Sequence, residues 1–99
     1  MHKIMIFGTN SGSGKSTFAR LLGEKLNITP TYLDTIFWKP GWQIAPSEEI
    51  FEKIEEVLTR ERWIIEGSYT RFAIEKRIEL ADTIFLFDFN RFICFIKFA

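Results

Sequence analysis

Cysteine is all but missing from this chain. Cys94 stands alone among 99 residues, which excludes an internal disulfide and fits a reducing cytoplasm best. Net charge is missing too: thirteen basic and thirteen acidic residues cancel, so no global field draws the chain to nucleic acid or to an anionic membrane. No basic helix and no basic-aromatic stripe is present, so direct nucleic-acid binding is not expected and any binding of polyanions has to be local. The start, Met1-His2-Lys3-Ile4, enters a strand pattern instead of a signal sequence. Nor is there a long hydrophobic run. Residues 84–99 hold six of the eleven phenylalanines, but Asp88, Arg91 and Lys97 interrupt those sixteen positions, whereas a spanning helix needs about 20 apolar residues. No membrane contact is expected, and the segment reads as a buried strand followed by the start of an apolar helix. Repeats and low-complexity tracts are absent as well.

The strongest feature that is present lies at the N-terminus. Residues 3–7, Lys-Ile-Met-Ile-Phe, read as a buried strand. They run into Gly8-Thr9-Asn10-Ser11-Gly12-Ser13-Gly14-Lys15-Ser16-Thr17, a glycine-rich loop of the kind that cradles phosphate. Gly8, Gly12 and Gly14 are expected to supply backbone angles closed to side chains, so that consecutive N–H groups turn inward around an anion. Gly12, Ser13, Gly14, Lys15, Ser16 and Thr17 are the candidate phosphate ligands. Lys15 supplies a mobile point charge, and the Ser16 hydroxyl is suited to Mg²⁺. The helix starting here aims its positive end at the same anion. The usual spacing G-x-x-x-x-G-K-[ST] puts glycine at position 9, but Thr9 stands there and Gly8 precedes it. The loop therefore either runs one residue longer or begins at Thr9. Phe18, Leu21, Leu22 and Leu26 form the apolar stripe of the helix that follows.

Further along, strands and helices alternate as in a doubly wound α/β protein. A helix is predicted over residues 14–26 and a short strand over 31–33, ending at Asp34. Pro40, Gly41 and Pro46 make residues 35–46 an aromatic loop. Ser47 is the expected N-cap of a helix carrying Ile50, Phe51, Ile54, Val57 and Leu58 at helical spacing. A third strand, 63–65, ends at Glu66-Gly67, a helical stretch covers about 70–79, and a fourth strand spans 82–87.

Ligands of open α/β sheets bind outside the carboxyl ends of the parallel strands. Asp34, Glu66 and Asp88 sit at such ends, on the edge that also holds Lys15 and Ser16. A carboxylate there can hold Mg²⁺, directly or through water, or accept a proton from an attacking hydroxyl; Asp88 suits a cap or turn role better. Arg71 lies where the chain leaving the third strand passes an acceptor pocket, and its guanidinium fork suits phosphate or carboxylate. Arg77, on the following helix, reads as part of a solvated face. Trp38, Trp42 and Tyr69 either wall the acceptor pocket by stacking or pack as core or lid.

Four segments together, Gly-x-x-x-Gly-x-Gly-Lys-Ser-Thr-Phe-Ala-Arg at 8–20, Tyr-Leu-Asp-x-x-Phe-Trp-Lys-Pro-Gly-Trp at 32–42, Trp-Ile-Ile-Glu-Gly-Ser-Tyr at 63–69 and Ala-Asp-Thr-Ile-Phe-Leu-Phe-Asp at 81–88, resemble the DNA topology modulation proteins. These are adenylate-kinase-like P-loop proteins of bacteria. The resemblance spans essentially the whole chain, and Leu-Asp-x-x-Phe-Trp-x-Pro-Gly-Trp is its most specific part. It implies an ATP-binding domain of the nucleoside monophosphate kinase superfamily. The implied fold is a three-layer P-loop NTPase fold with parallel strand order 2-3-1-4, a fifth strand and a lid. Members of that family continue past the region corresponding to Ile93-Cys94-Phe95 into an arginine-bearing lid. This chain ends at Ala99 and carries Lys97 where an arginine is usual, so the expectation is a truncated domain without fifth strand or lid. Its fourth strand would then be an exposed apolar edge inviting self-association.

Two functional classes follow from the resemblance. In the first, the γ-phosphoryl group of ATP passes to an unidentified small acceptor: Lys15 stabilises the transferring group, and Ser16 with Glu66 or Asp34 holds Mg²⁺. Asp34 activates or orients the acceptor, and Arg71 binds its anionic part. In the second, the chain is a nucleotide-binding module without transfer, acting on DNA topology through a partner.

Overall fold

The computed structural model describes residues 1–8, 14–67, 74–88 and 91–96. It is a mixed α/β structure whose mostly parallel five-stranded sheet is flanked by helices. The chain runs β1 (Lys3–Gly8), α1 (Lys15–Leu26), β2 (Thr31–Tyr32), α2 (Leu33–Phe37), β3 (Trp38–Lys39), β4 (Gln43–Ile44), α3 (Ser47–Leu58), β5 (Trp63–Glu66), α4 (Ile74–Leu80), β6 (Thr83–Asp88) and β7 (Arg91–Ile96). The sheet order is β2-β5-β1-β6-β7, with β3 and β4 forming a separate hairpin. Neighbours among β2, β5, β1 and β6 are parallel, and β7 is antiparallel to β6.

Strand periodicity assigns the two faces. Side chains alternate along a strand, so Ile4 and Ile6 of β1 pack with Ile64, Phe85 and Ala19 of α1 on one face. Met5 of β1 packs with Trp63, Ile65 and the α3 residues Ile50, Ile54, Val57 and Leu58 on the other. The central strand is covered on both sides, which is why it is a continuous apolar run. Phe18 of α1 closes its layer edge-to-face against Phe85, with ring centroids 4.9 Å apart.

The apolar stripe of α1 differs from the predicted one. Phe18, Ala19, Leu22 and Leu26 face the sheet, while Leu21 is half exposed, because the spacing 18, 19, 22, 26 follows the contact face better than one passing through 21. The helix stops at Asn27, whose left-handed backbone (φ 60°) lets the Ile28 amide donate to the Gly23 carbonyl at 3.0 Å. Arg62 donates to the carbonyl of Leu26 at 2.6 Å, a cation at the negative end of the helix. α3 begins at Ser47, but the cap is Pro46. The Pro46 carbonyl takes the first helical hydrogen bond, from Ile50 at 3.1 Å, and Ser47 falls one position inside the helix.

Three further expectations are corrected. Residues 35–46 contain the end of α2 and a two-stranded hairpin, not a plain loop. After β6 the chain makes the strand β7 instead of starting a helix. A segment that is apolar at nearly every position carries no usable periodicity, and its β-branched and aromatic residues favour extended pairing. Six registered pairs, from Thr83↔Ile96 to Asp88↔Arg91, satisfy the β6 backbone. It follows that β6 is not the exposed edge; β7 is paired along it and stands at that end of the sheet. Among the described residues no helix is long and apolar enough to cross a membrane.

Candidate functional site

The site is built where β1, β5 and β2 end. Residues 9–13 lie outside the described residues, and with them the candidates Gly12 and Ser13; Arg71 does too. Gly14 is described, and its backbone is left-handed (φ 88°) with nothing within 4 Å of where a Cβ would stand. That position requires glycine for conformation. It is the N-cap of α1, which carries no acidic residue in its first turn, so the positive end of the helix is not offset from within.

Gly8 is needed for a different reason from the one the loop pattern suggests. It ends β1 without a left-handed backbone. By strand parity its missing side chain, like those of Ile4 and Ile6, faces α1. A Cβ there would fall 2.7 Å from Cδ of Lys15 and 2.8 Å from the carbonyl oxygen of Phe87. The glycine is therefore the floor over which the Lys15 stem runs, and Lys15, at 6 % exposed, is buried there as few lysines are.

The same parity places Glu66. Trp63 and Ile65 of β5 point to the α3 face, so Ile64 and Glu66 point to α1. The Ser16 hydroxyl in the first turn of α1 donates to Oε2 of Glu66 at 3.4 Å. Glu66 is 6 % exposed, and burial pushes its carboxyl above the usual carboxylate range. The Lys15 cation opposes that shift, the Asp34 charge adds to it, and the Ser16 hydrogen bond opposes it. Asp34 is thus near enough for its charge to be felt at Glu66. It occupies the second position of α2 and is exposed. The expected strand end is displaced because β2 closes at Tyr32, opposite Glu66. Behind Glu66 the chain turns at Gly67, where a Cβ would lie 2.7 Å from Cβ of Leu33; this close approach brings the start of α2 against the end of β5.

Lys15, Ser16, Glu66 and Asp34 are therefore assembled at one edge, with Thr17 exposed in the same helical turn. Two carboxylates, a hydroxyl and a buried ammonium at a helix N-terminus offer oxygen ligands to a hard cation and positive charge to a polyanion. Among the described residues no group of three or more His, Cys, Asp or Glu side chains is arranged to hold a metal by itself. That donor set suits Mg²⁺, which binds through one or two carboxylates together with substrate phosphates.

Sequence reasoning missed Arg77. It is fully buried on α4 instead of lying on a solvated face, and burial pushes its guanidinium down to about 10, still a cation at neutral pH. The signal was weak: α4 has only seven residues, too few for a clear apolar face. Trp38 and Trp42 are not core. They are 38 % and 83 % exposed on the β3–β4 hairpin.

Compared with protein-family models and with curated proteins, the chain matches neither.

Proposed function

We propose that this chain is a P-loop phosphotransferase of the adenylate-kinase-like kind, binding ATP with Mg²⁺ at the β1–α1 junction and passing the γ-phosphoryl group to a small acceptor beside Asp34. The observation that carries the reading is the pairing of the Ser16 hydroxyl with the buried Glu66 carboxyl, alongside buried Lys15. The strand order β2-β5-β1-β6 supports it, since it puts the second and third parallel strands on one side of the phosphate loop and the fourth on the other.

Lys15 is held over Gly8 and supplies positive charge toward the transferring group. Ser16, Glu66 and Asp34 are the residues that would hold Mg²⁺, which when bound neutralises charge developing on the β- and γ-phosphates. Asp34, exposed in the first turn of α2, orients the acceptor. If the acceptor is a hydroxyl, Asp34 also takes its proton; an ionised phosphate acceptor needs no base. Arg71 is assigned to the anionic part of the acceptor.

The test is calorimetric titration of ATP and GTP with Mg²⁺, followed by a screen for transfer to nucleoside monophosphates and small alcohols. Saturable binding and transfer, both lost in Lys15→Ala, are expected. Turnover of ATP by Lys15→Ala at the wild-type rate would remove the mechanism. Binding without transfer would favour a nucleotide-binding module acting through a partner.

A further inference from the structure

The sequence pattern leaves the open edge of the sheet at the fourth strand; the structure moves it to β7. β7 stands at the end of the sheet order, and among the described residues it pairs with β6 alone. The N–H and C=O groups of alternate β7 residues therefore point away from β6, toward water or another strand. The opposite end of the sheet is β2, two residues long, the kind of short edge that discourages further pairing. β7 is six residues long and has no such guard. Arg91-Phe92-Ile93-Cys94-Phe95-Ile96 holds one charge, at its first position, and no proline, while phenylalanine and isoleucine favour extended pairing. Part of the strand is also uncovered: Cys94 is exposed, and Ile96 is 58 % exposed.

The chemistry of this edge selects its occupant. Backbone groups spaced for a ladder take up a strand, not a compact ligand. A strand of the same sequence meets that requirement from both sides, because around a two-fold axis normal to the sheet the two copies run antiparallel and every contact is made twice. Charge then decides the register. An axis through Cys94 would set Arg91 against Lys97 of the second copy, like charges directly opposite, whereas an axis through Ile93 sets Arg91 against Phe95 and brings no like charges together. Thirteen basic and thirteen acidic residues cancel, so no net repulsion opposes two copies. The two-residue β2 is too short to receive the six-residue β7, so the contact closes as a pair and does not propagate head to tail.

We propose that the outer edge of β7 is a self-association surface, on which two copies of this chain pair antiparallel about a two-fold axis at Ile93 and join their sheets into one. The pairing does not rest on the function proposed above, since β6 separates β7 from β1 and the phosphate site.

Sedimentation of the full chain over a concentration series, in reductant so that Cys94 cannot cross-link, is expected to reach twice the monomer mass. Hydrogen exchange read amide by amide identifies the surface: in a single copy the outward amides of β7 exchange freely, and in the pair they become protected. Ile93 faces its own copy across the axis, so Ile93→Lys and Ile93→Glu each set like charges opposite one another. Each variant is expected to sediment as a monomer, and an equimolar mixture of the two should recover the doubled mass. Thr31→Lys, on the β2 edge, should leave the wild-type mass unchanged. A wild-type monomer throughout the series overturns the proposal. So does a dimer whose outward β7 amides still exchange freely, a dimer that both Ile93 variants leave intact, or a mixture that stays monomeric while each variant keeps the wild-type circular dichroism. If the Ile93 variants lose the fold, the exchange pattern of the wild-type protein decides.

Discussion

Gly8→Ala is the most informative single change in the site, because it separates two explanations for a glycine at the end of β1, ahead of the glycine-rich segment. If Gly8 served only backbone freedom, alanine would be harmless, since Gly8 does not have a positive φ. The structure says otherwise. The new methyl would stand 2.7 Å from Cδ of Lys15, 2.8 Å from the Phe87 carbonyl oxygen and 3.1 Å from Phe87 Cβ, against ordinary contacts of about 3.5 Å. The Lys15 stem can swing away, but Phe87 cannot: it is registered opposite Gly8 in the parallel pair β1–β6, and β7 holds it from the other side. Overpacking of this kind costs about 1–3 kcal/mol. In a domain of this size each kcal/mol lowers Tm by roughly 4–8 °C, so a loss of about 4 °C or more is expected in a thermal melt. Mg-ATP affinity should fall as well, because relief of the clash on the Lys15 side displaces the ammonium from its seat. A Gly8→Ala protein that melts within a degree of wild type and binds Mg-ATP unchanged would refute the account of the Lys15 floor.

Other outcomes follow from neighbouring positions. Gly14→Ala should cost about 1–2 kcal/mol through left-handed strain alone, with nothing to clash against, and Gly14→Asn should cost less; chemical denaturation of the pair checks this. Glu66 carries a raised pKa, so its contribution to stability is present in acid and is lost as pH rises through that raised value. Glu66→Gln should therefore be at least as stable as wild type at pH 7 while losing phosphoryl transfer, a stability–function trade seen by comparing urea midpoints with turnover. Asp82 behaves with the opposite sign. Partial burial works against its carboxylate, but hydrogen bonds from the His2 and Lys3 amides and the Thr83 hydroxyl, with the charge of the N-terminus, hold it below the usual range. Its stabilisation is present above the ordinary carboxylate range and disappears as pH falls through the depressed value. Asp82→Asn should cost about 1–2 kcal/mol at pH 7 and flatten the acid limb of a pH–stability curve.

Much of the architecture was legible because periodicity is strong where burial is one-sided. That holds for the helix over residues 47–58; the strand ending at Glu66 was legible instead as a short apolar run, buried at all four positions, and Glu66 by its place at the strand's carboxyl end. What could not be read depends on tertiary contact. In residues 91–96 nearly every position is apolar, so nothing local separates helix from strand until β6 offers its edge. The burial of Arg77 needs knowledge of what α4 packs on. The hairpin at 38–44 is too short for a strand pattern, and its proline and glycine read equally well as loop. The role of Gly8 lies in the Lys15 side chain seven residues later, a contact no local propensity encodes.

The central claim is that Lys15, Ser16 and Glu66 form one site for the phosphates of a magnesium nucleotide. Calorimetric titration of Mg-ATP into wild type and into Lys15→Ala tests it most directly. The account predicts saturable binding that depends on Mg²⁺ in the first and its loss in the second, with both proteins folded. Equal heats and equal affinity in the two proteins, or no binding by wild type, would contradict it.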